Sequence, residues 1–231
     1  MRNLIYKLYE ARLERALDPA GLPKHVAVML DGNRRWAKSR NLAKPKSGHA
    51  AGAQKIFEFL GWCDELGIKV VTLYLLSTDN LKGRAGDELQ ELQDIIAQLA
   101  DDLAVHGHWK LQLVGDRESL PTSLADAIAS AEKRTANIGG MHVNLAVGYG
   151  GRKEIADAMR SILKDHSTQG TSIDELAELL DPDLITKHLY TSGQPDPDLI
   201  IRTSGEQRLS GFLLWQSAQS EFYFEEALWP D

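Results

Sequence analysis

Residues 25–39 read HVAVMLDGNRRWAKS, an apolar run that passes directly into Asp31, Gly32, Asn33, Arg34, Arg35 and Trp36. A second basic group follows the short apolar run at 199–202, where Arg202, Thr203, Ser204 and Gly205 lead to Arg208, Leu209 and Ser210. Between the two lie Ser77, Thr78, Asp79 and Asn80, then Gly148, Tyr149, Gly150 and Gly151. Together these residues supply guanidiniums, hydroxyls, glycine-freed backbone N–H groups and a few carboxylates. That chemistry suits phosphate. Arginine forks match pairs of phosphate oxygens, helix N-termini add N–H donors, and a carboxylate can hold Mg²⁺ against the same anion. Two separate arginine clusters point to two phosphate groups bound side by side.

Ordinary nucleotide binding has little support, because there is no GxxxxGK[ST] loop and GYGGRKE lacks the dinucleotide-binding spacing. DDLAVH does not match the DDxxD pattern of all-helical prenyl synthases. Each candidate also has a plainer reading. Asp31-Gly32 alone would be a turn or helix N-cap. Arg202 could be a salt-bridged strand end, His49 a capping or packed histidine, Trp36 a core residue, Glu221 a surface acid, and Glu225 and Glu226 a solvated face. The joint occurrence of the Asp31 and Arg202 groups after strand-like runs weighs against the plainer reading for those groups.

The elements that must hold these residues alternate apolar β-branched runs with helical periodicity. Strands are expected at 25–30, 68–76, 109–114, 141–147, 199–202 and, briefly, 212–214. Helices are expected near 50–66, 87–105, 122–136, 152–165 and 173–189. This rhythm predicts an α/β fold, a single domain with a mostly parallel sheet covered by helices on both faces. In such sheets ligands bind beyond the carboxyl ends of the strands, which is where the polar groups fall. Flexible stretches are expected at 42–47, 82–86, 166–172 and 192–198. Leu4, Ile5, Leu8, Leu13 and Leu17 mark an N-terminal amphipathic helix over about 1–18, lying on the domain or, alternatively, touching a membrane surface. The 231 residues, 43% of them hydrophobic, suffice for one substantial core. A formal net charge of −7 disfavours a general nucleic-acid surface. Cys63, the sole cysteine, excludes an internal disulfide and reads as packing in a reducing, cytoplasmic setting. No apolar stretch is long enough to span a bilayer, which predicts a soluble protein with at most peripheral membrane association.

HVAVMLDGNRRWAK, YLLSTDN, NLAVGYGGRKEI and DLIIRTSGEQRLSGFLLWQSAQSEFYFEEALWPD resemble, in order and across nearly the whole chain, the cis-prenyltransferases, the undecaprenyl diphosphate synthase family. The resemblance implies a six-stranded, mostly parallel sheet with an apolar tunnel beside it, working as a homodimer. It also implies a Mg²⁺-dependent reaction in which an allylic diphosphate condenses with isopentenyl diphosphate to create a Z double bond. Matched residue by residue, Asp31 would hold Mg²⁺ and assist departure of the allylic diphosphate. Gly32, Asn33, Arg34, Arg35 and His49 would cradle that diphosphate, with Trp36 flanking it. Ser77, Thr78, Asp79 and Leu81 match the next substrate-contacting stretch, and Asn80 matches the residue assigned as proton acceptor. Arg202, Arg208, Leu209 and Ser210 would receive isopentenyl diphosphate, and Glu221 matches a second Mg²⁺ carboxylate.

The chain departs from the family pattern at several points. Asp79, Leu81 and KGRAG stand where Glu, Trp and Arg-Pro are usual, so Arg84 matches only after a shift. Lys44 and Lys46 are stand-ins for a basic residue expected before His49, and Arg34 stands where Gly is frequent. A basic Arg-x-Gly tail that would complete the partner subunit's isopentenyl diphosphate site is expected beyond Asp231. Leu75 takes the place of a small residue typical of long-chain members, so its bulk predicts a short product, Z,E-farnesyl diphosphate from geranyl diphosphate. A long-chain decaprenyl or undecaprenyl synthase is the alternative, with Leu75 as plain core packing. A non-catalytic scaffold subunit would be expected to lack the Asp and the arginines retained here. A nucleotide- or sugar-phosphate-binding α/β enzyme would reuse the same strand ends without an apolar tunnel.

Overall fold

A computed structural model describes residue 9, residues 12 and 13, and residues 15–42, 45–83 and 86–231. Most of the expected N-terminal helix, including Leu4, Ile5 and Leu8, lies outside the described residues, as do Lys44 and Arg84. Leu13 and Leu17 are described, and both are exposed.

The strands are β1 (His25–Met29), β2 (Val70–Ser77), β3 (Lys110–Val114), β4 (His142–Tyr149), β5 (Leu199–Arg202) and β6 (Glu221–Phe224). They form one parallel sheet in the order β3-β4-β2-β1-β5-β6. Burial on both faces explains why these strands read as near-continuous apolar runs. On β1, Val26 and Val28 face the larger core, whereas Ala27 and Met29 face the smaller one. The larger core is filled by α2 (Pro45–Glu65), α4 (Gly86–His106) and α5 (Thr122–Thr135). Cys63 is buried there, its thiol pushed up to about 12 mainly by desolvation, as expected of a packing residue. Phe212 and Leu213 close the smaller core against Ala146, Tyr149 and Ile200. Both cores share the one sheet, so the chain forms a single domain.

β1 lies between β2 and β5, where the strand order reverses. The carboxyl end of β1 is therefore the natural crevice for a ligand. From it leave Asp31 and α1 (Asn33–Ser39), and β2 runs straight into α3 (Thr78–Gly83).

Four sequence expectations are corrected. The apolar run 212–214 is not a strand, because Ser210, Gly211 and Leu213 have φ of 48, 80 and 44° and turn the chain. The sixth strand is instead β6, nine residues of sequence beyond the expected start. The helix expected over 173–189 is broken into α7 (Ile173–Leu179) and α8 (Pro182–Lys187). Pro182 disfavours helix at the residue before it, and Asp181 caps the second helix by accepting from Leu184 N. The segment 192–198, expected to be flexible, is tied down by a polar network. Asp198 Oδ2 accepts from the backbone N–H groups of Lys24 and His25 at 2.6 and 3.0 Å. His25 Nδ1 lies 2.7 Å from Pro195 O and its Nε2 lies 2.8 Å from Thr72 Oγ1. Asn144 Nδ2 donates to Gln194 Oε1 at 2.6 Å, which extends the network to β4. Residues 166–169 likewise continue the helix α6 (Gly151–Gln169), which ends at Gly170.

Burial of His25 lowers its pKa below 6.5, so the folded protein holds it neutral. The unfolded chain then binds the extra proton first, and the His25 contribution to stability is present above pH 6.5 and lost as pH falls through the folded value. A His25→Gln variant should therefore lose less melting temperature than the parent between pH 7 and pH 5. Parallel melting curves for the two proteins over that range would rule this out.

Candidate active site

Asp31 follows β1 with its carboxylate divided between two guanidiniums. Arg202 Nη2 donates to Asp31 Oδ2 at 2.9 Å, and Arg35 Nη2 lies 3.7 Å from Oδ1. The Arg202 side chain is only 5% exposed, whereas that of Asp31 is 40% exposed, so the acid is the more solvated member of a pair that lines the cavity. Arg202 Nη1 also donates to the Arg208 carbonyl and to Ser210 Oγ, the latter at 3.0 Å. Its Nε is buried without a partner in the described structure. The Asp31 backbone is held by Thr203, whose hydroxyl donates to Asp31 O at 2.6 Å, and by Trp229 N, which donates to the same carbonyl at 3.0 Å.

Two glycines make this packing geometrically feasible. Gly32 caps α1 at φ 118°, and a Cβ there would stand 2.9 Å from Leu228 Cα and Trp229 N. Gly52 on α2 lets Asn33 Oδ1 approach to 2.1 Å of where a Cβ would be. Asn33 Nδ2 donates to Leu30 O at 2.9 Å, which orients the amide at the start of α1.

These groups line a cavity of about 810 Å³ at the carboxyl ends of β1, β2 and β5. Of the residues expected from sequence, it gathers Asp31, Gly32, Asn33, Arg34, Arg35, His49, Leu75, Ser77, Asp79, Asn80, Arg202 and Ser210. Arg34 also lies 3.6 Å from Glu88 at the start of α4. Other expected residues are elsewhere. Trp36 turns away, its Nε1 donating to Asp231 Oδ1 at 2.7 Å. Leu81 packs against the larger core and Leu209 against the smaller one. Thr78 lines a neighbouring cavity of about 380 Å³ with Gly150, Gly151 and Ser210. Arg208 is 66% exposed and paired with Glu206. Glu221 is not near Asp31: it opens β6 in register with Leu199, at the opposite ends of the parallel strands. Lys46 is exposed and outside the lining, whereas Lys38 of α1 is in it.

Behind the charged cavity lies a narrow apolar recess of about 40 Å³ between α2, α4 and β2, lined in part by Leu75, Leu92, Ile96 and Trp229. Leu75 reaches both spaces because β2 is irregular there. The pairing with β4 steps from Tyr74↔Ala146 to Leu76↔Val147, leaving Leu75 unpaired, a bulge that breaks the strict alternation of faces. Both Leu75 and Leu76 consequently pack with the larger core.

Sequence reasoning also missed the residues that steady the second arginine loop. Glu154 of α6 is buried, and its carboxyl is raised by desolvation. It accepts from Tyr149 Oη at 2.5 Å, from Tyr190 N at 3.0 Å and from Gln216 Nε2 at 3.1 Å. These bonds join β4 and α6 to both ends of the segment that carries Arg202 and Ser210. Trp229 holds the opposite wall, its Nε1 donating to Gly52 O at 3.1 Å. The LWPD run offered a signal for Trp229. Tyr149 and Glu154 lie in the GYGGRKE run and Gln216 in FLLWQ, but nothing local announces that they bond to one another, because the partners are far apart along the chain.

Among the described residues no cluster of three or more His, Cys, Asp or Glu side chains could hold a metal ion. Nor is any described helix long and apolar enough to cross a membrane.

Comparison with known proteins places this site in a lineage. The family described as "Putative undecaprenyl diphosphate synthase" matches residues 29–231. A (2Z,6E)-farnesyl diphosphate synthase of Thermobifida fusca is 58% identical over 230 residues, covering 100% of this chain and 90% of the relative. The protein of the same description from Mycobacterium tuberculosis is 48% identical over 233 residues, covering 100% of this chain and 88% of the relative. The crystal structure of lavandulyl diphosphate synthase from Lavandula x intermedia, in complex with dimethylallyl diphosphate, superposes with a TM-score of 0.83 at 36% identity, covering 90% of this chain and 89% of the other.

Proposed function

The chain belongs to the undecaprenyl diphosphate synthase family and is a cis-prenyltransferase, and we propose that it makes a short product, Z,E-farnesyl diphosphate, from geranyl and isopentenyl diphosphates. The observation that carries the short product is the junction of the charged cavity with an apolar recess of about 40 Å³ walled by Leu75. A hydrocarbon chain starting at the diphosphate site meets Leu75 within the first units of growth. The two relatives described as (2Z,6E)-farnesyl diphosphate synthases favour the same reading.

In this reading Arg34, Arg35, Asn33, Lys38 and His49 hold the allylic diphosphate, with Lys38 supplying the basic group that Lys44 and Lys46 were expected to give. Arg202 and Ser210 receive the isopentenyl diphosphate, and Arg208 reaches the same anion from the rim. The bound anions then meet fixed cations, which stabilise the negative charge that grows on the leaving group. Holding the two substrates together removes much of the entropic barrier. The allylic C–O bond breaks with its electron pair going to diphosphate, the isopentenyl double bond supplies the new C–C bond, and a proton then leaves the adjacent carbon. Asn80 faces that proton. An amide is a weak base, so the departing diphosphate is the final acceptor.

Mg²⁺ fits the donor set. The Asp31 carboxylate, partly exposed in a cavity rich in phosphate-binding groups, suits a cation that keeps water and substrate oxygens as its other ligands. Such an ion would neutralise charge on the diphosphate. Glu221, by its place on β6, has no part in this reading. A second copy covering the edge strand β6, where Phe222 and Tyr223 are exposed, belongs to the same proposal, and sedimentation at the mass of one chain would remove it. Peripheral membrane contact through the N-terminal helix remains a proposal from its sequence pattern.

Radiolabelled isopentenyl diphosphate with dimethylallyl, geranyl or farnesyl diphosphate should give chiefly a fifteen-carbon product from geranyl diphosphate. Leu75→Ala should add at least one further unit to the longest product. Long chains from the parent enzyme, or an unchanged product ladder in the variant, would contradict the proposal.

A further inference from the structure

Tyr74 lines the charged cavity, the apolar recess and the neighbouring cavity that holds Thr78 and Ser210, and no other described residue lines all three. It is also the one Phe, Tyr or Trp side chain in the described lining of the charged cavity. Its position follows from β2, where it pairs with Met29 of β1, two residues before Asp31. The ring is fixed rather than free to turn. Phe212 stacks on it with centroids 4.5 Å apart and planes 14° apart, and Tyr149 meets it edge-on at 6.0 Å. Phe212 therefore covers one face of the ring, and Tyr74 packs with the smaller core beside the cavities that it lines.

We infer that Tyr74 is a further catalytic residue, whose ring face away from Phe212 stabilises the carbocation formed where the allylic carbon meets the second substrate's double bond. This rests on the proposed placement of the allylic diphosphate in the charged cavity. The junction of three spaces is where diphosphate, growing hydrocarbon and second substrate must converge. As the allylic C–O bond breaks, the electron pair leaves with diphosphate and positive charge remains on carbon. The ring forms no bond and takes no proton. It offers the negative face of its quadrupole to a cation in a water-poor site. Desolvation pushes the Tyr74 phenol up to about 12, so the ring stays neutral at physiological pH and does not serve as a general base.

A desolvated cation–π contact corresponds to about a 30-fold change in rate. The test is single-turnover condensation with geranyl and isopentenyl diphosphates in variants carrying Phe, then mono-, di- and trifluorinated Phe, at position 74. These rings are nearly isosteric, so a purely structural role would leave the rates equal. The expected result is a progressive fall in the chemical rate with each fluorine, to about one thirtieth of the Phe variant, while the Michaelis constants of both substrates stay within about threefold. Tyr74→Phe should retain most activity, and Tyr74→Leu should lose activity as the trifluorinated variant does. A flat fluorine series in an active enzyme would overturn the inference and leave the proposed function standing. No turnover by the parent with any allylic primer would instead overturn the functional reading on which it rests.

Discussion

Asp31→Ala should lower the rate of condensation by about 1,000-fold or more while the protein still unfolds in one cooperative transition. The size of the loss follows from what the side chain does in the cavity. Its carboxylate is the exposed half of a pair whose base, Arg202, is buried, so it is the group positioned to engage a cation against the substrate diphosphate. Removing one preorganised contact to developing charge typically costs on the order of 100- to 1,000-fold, and here both a metal ligand and the orientation of two arginines would be lost together. Stability should fall too. Breaking a fully buried ion pair by removing one partner costs about 3–5 kcal/mol. Asp31 is partly solvated, and Arg202 keeps its bonds to the Arg208 carbonyl and Ser210, so about 1–2 kcal/mol is expected. In a chain of this length that is a drop of about 2–8 °C in melting temperature. Single-turnover kinetics with excess Mg²⁺, together with a melting curve, check both parts. Turnover within tenfold of the parent would end the assigned role of Asp31.

Arg202→Ala should damage the use of both substrates, with kcat/KM falling about 100-fold for isopentenyl diphosphate and by a smaller but clear factor for the allylic primer. Read as sequence, the two arginine clusters suggest two sites, so that a change at Arg202 or Arg208 would raise the Michaelis constant for isopentenyl diphosphate far more than that for the allylic primer. The structure joins them. Arg202 is hydrogen-bonded to Asp31, 171 residues earlier in the chain, and a change at one end of the pair misplaces the other. Arg208, exposed at the rim and paired with Glu206, is the residue whose removal should act mainly on isopentenyl diphosphate. The Asp31→Ala and Arg202→Ala effects should be strongly non-additive in the double variant, as expected of directly contacting groups. A loss at Arg202 confined to isopentenyl diphosphate, with additive effects in the double variant, would show that the ion pair does not couple the two sites.

The amino-acid sequence determined which chemistry sits at each strand end and which class of fold carries it. Apolar runs such as VAVM and LIIR, buried on both faces, can belong only to strands covered by helices, and the groups that follow them must lie at one edge of the sheet. The 3.6-residue periodicity of α4 and α5 was equally plain, because an amphipathic helix writes its buried face into local spacing. Local spacing also misled. FLL at 212–214 reads as a strand because it is an unbroken apolar run, yet Phe212 and Leu213 are buried from within a turn. Tertiary structure alone decided that β1 lies between β2 and β5, that Glu221 stands at the far ends of the strands from Asp31, and that a bulge at Leu75 sends two successive leucines to one core. It alone placed Tyr74 where three cavities meet. Each of these depends on which strands pair and in what register. Pairing is chosen by the burial of the whole sheet rather than by any stretch of a dozen residues, so no periodicity in the chain announces it.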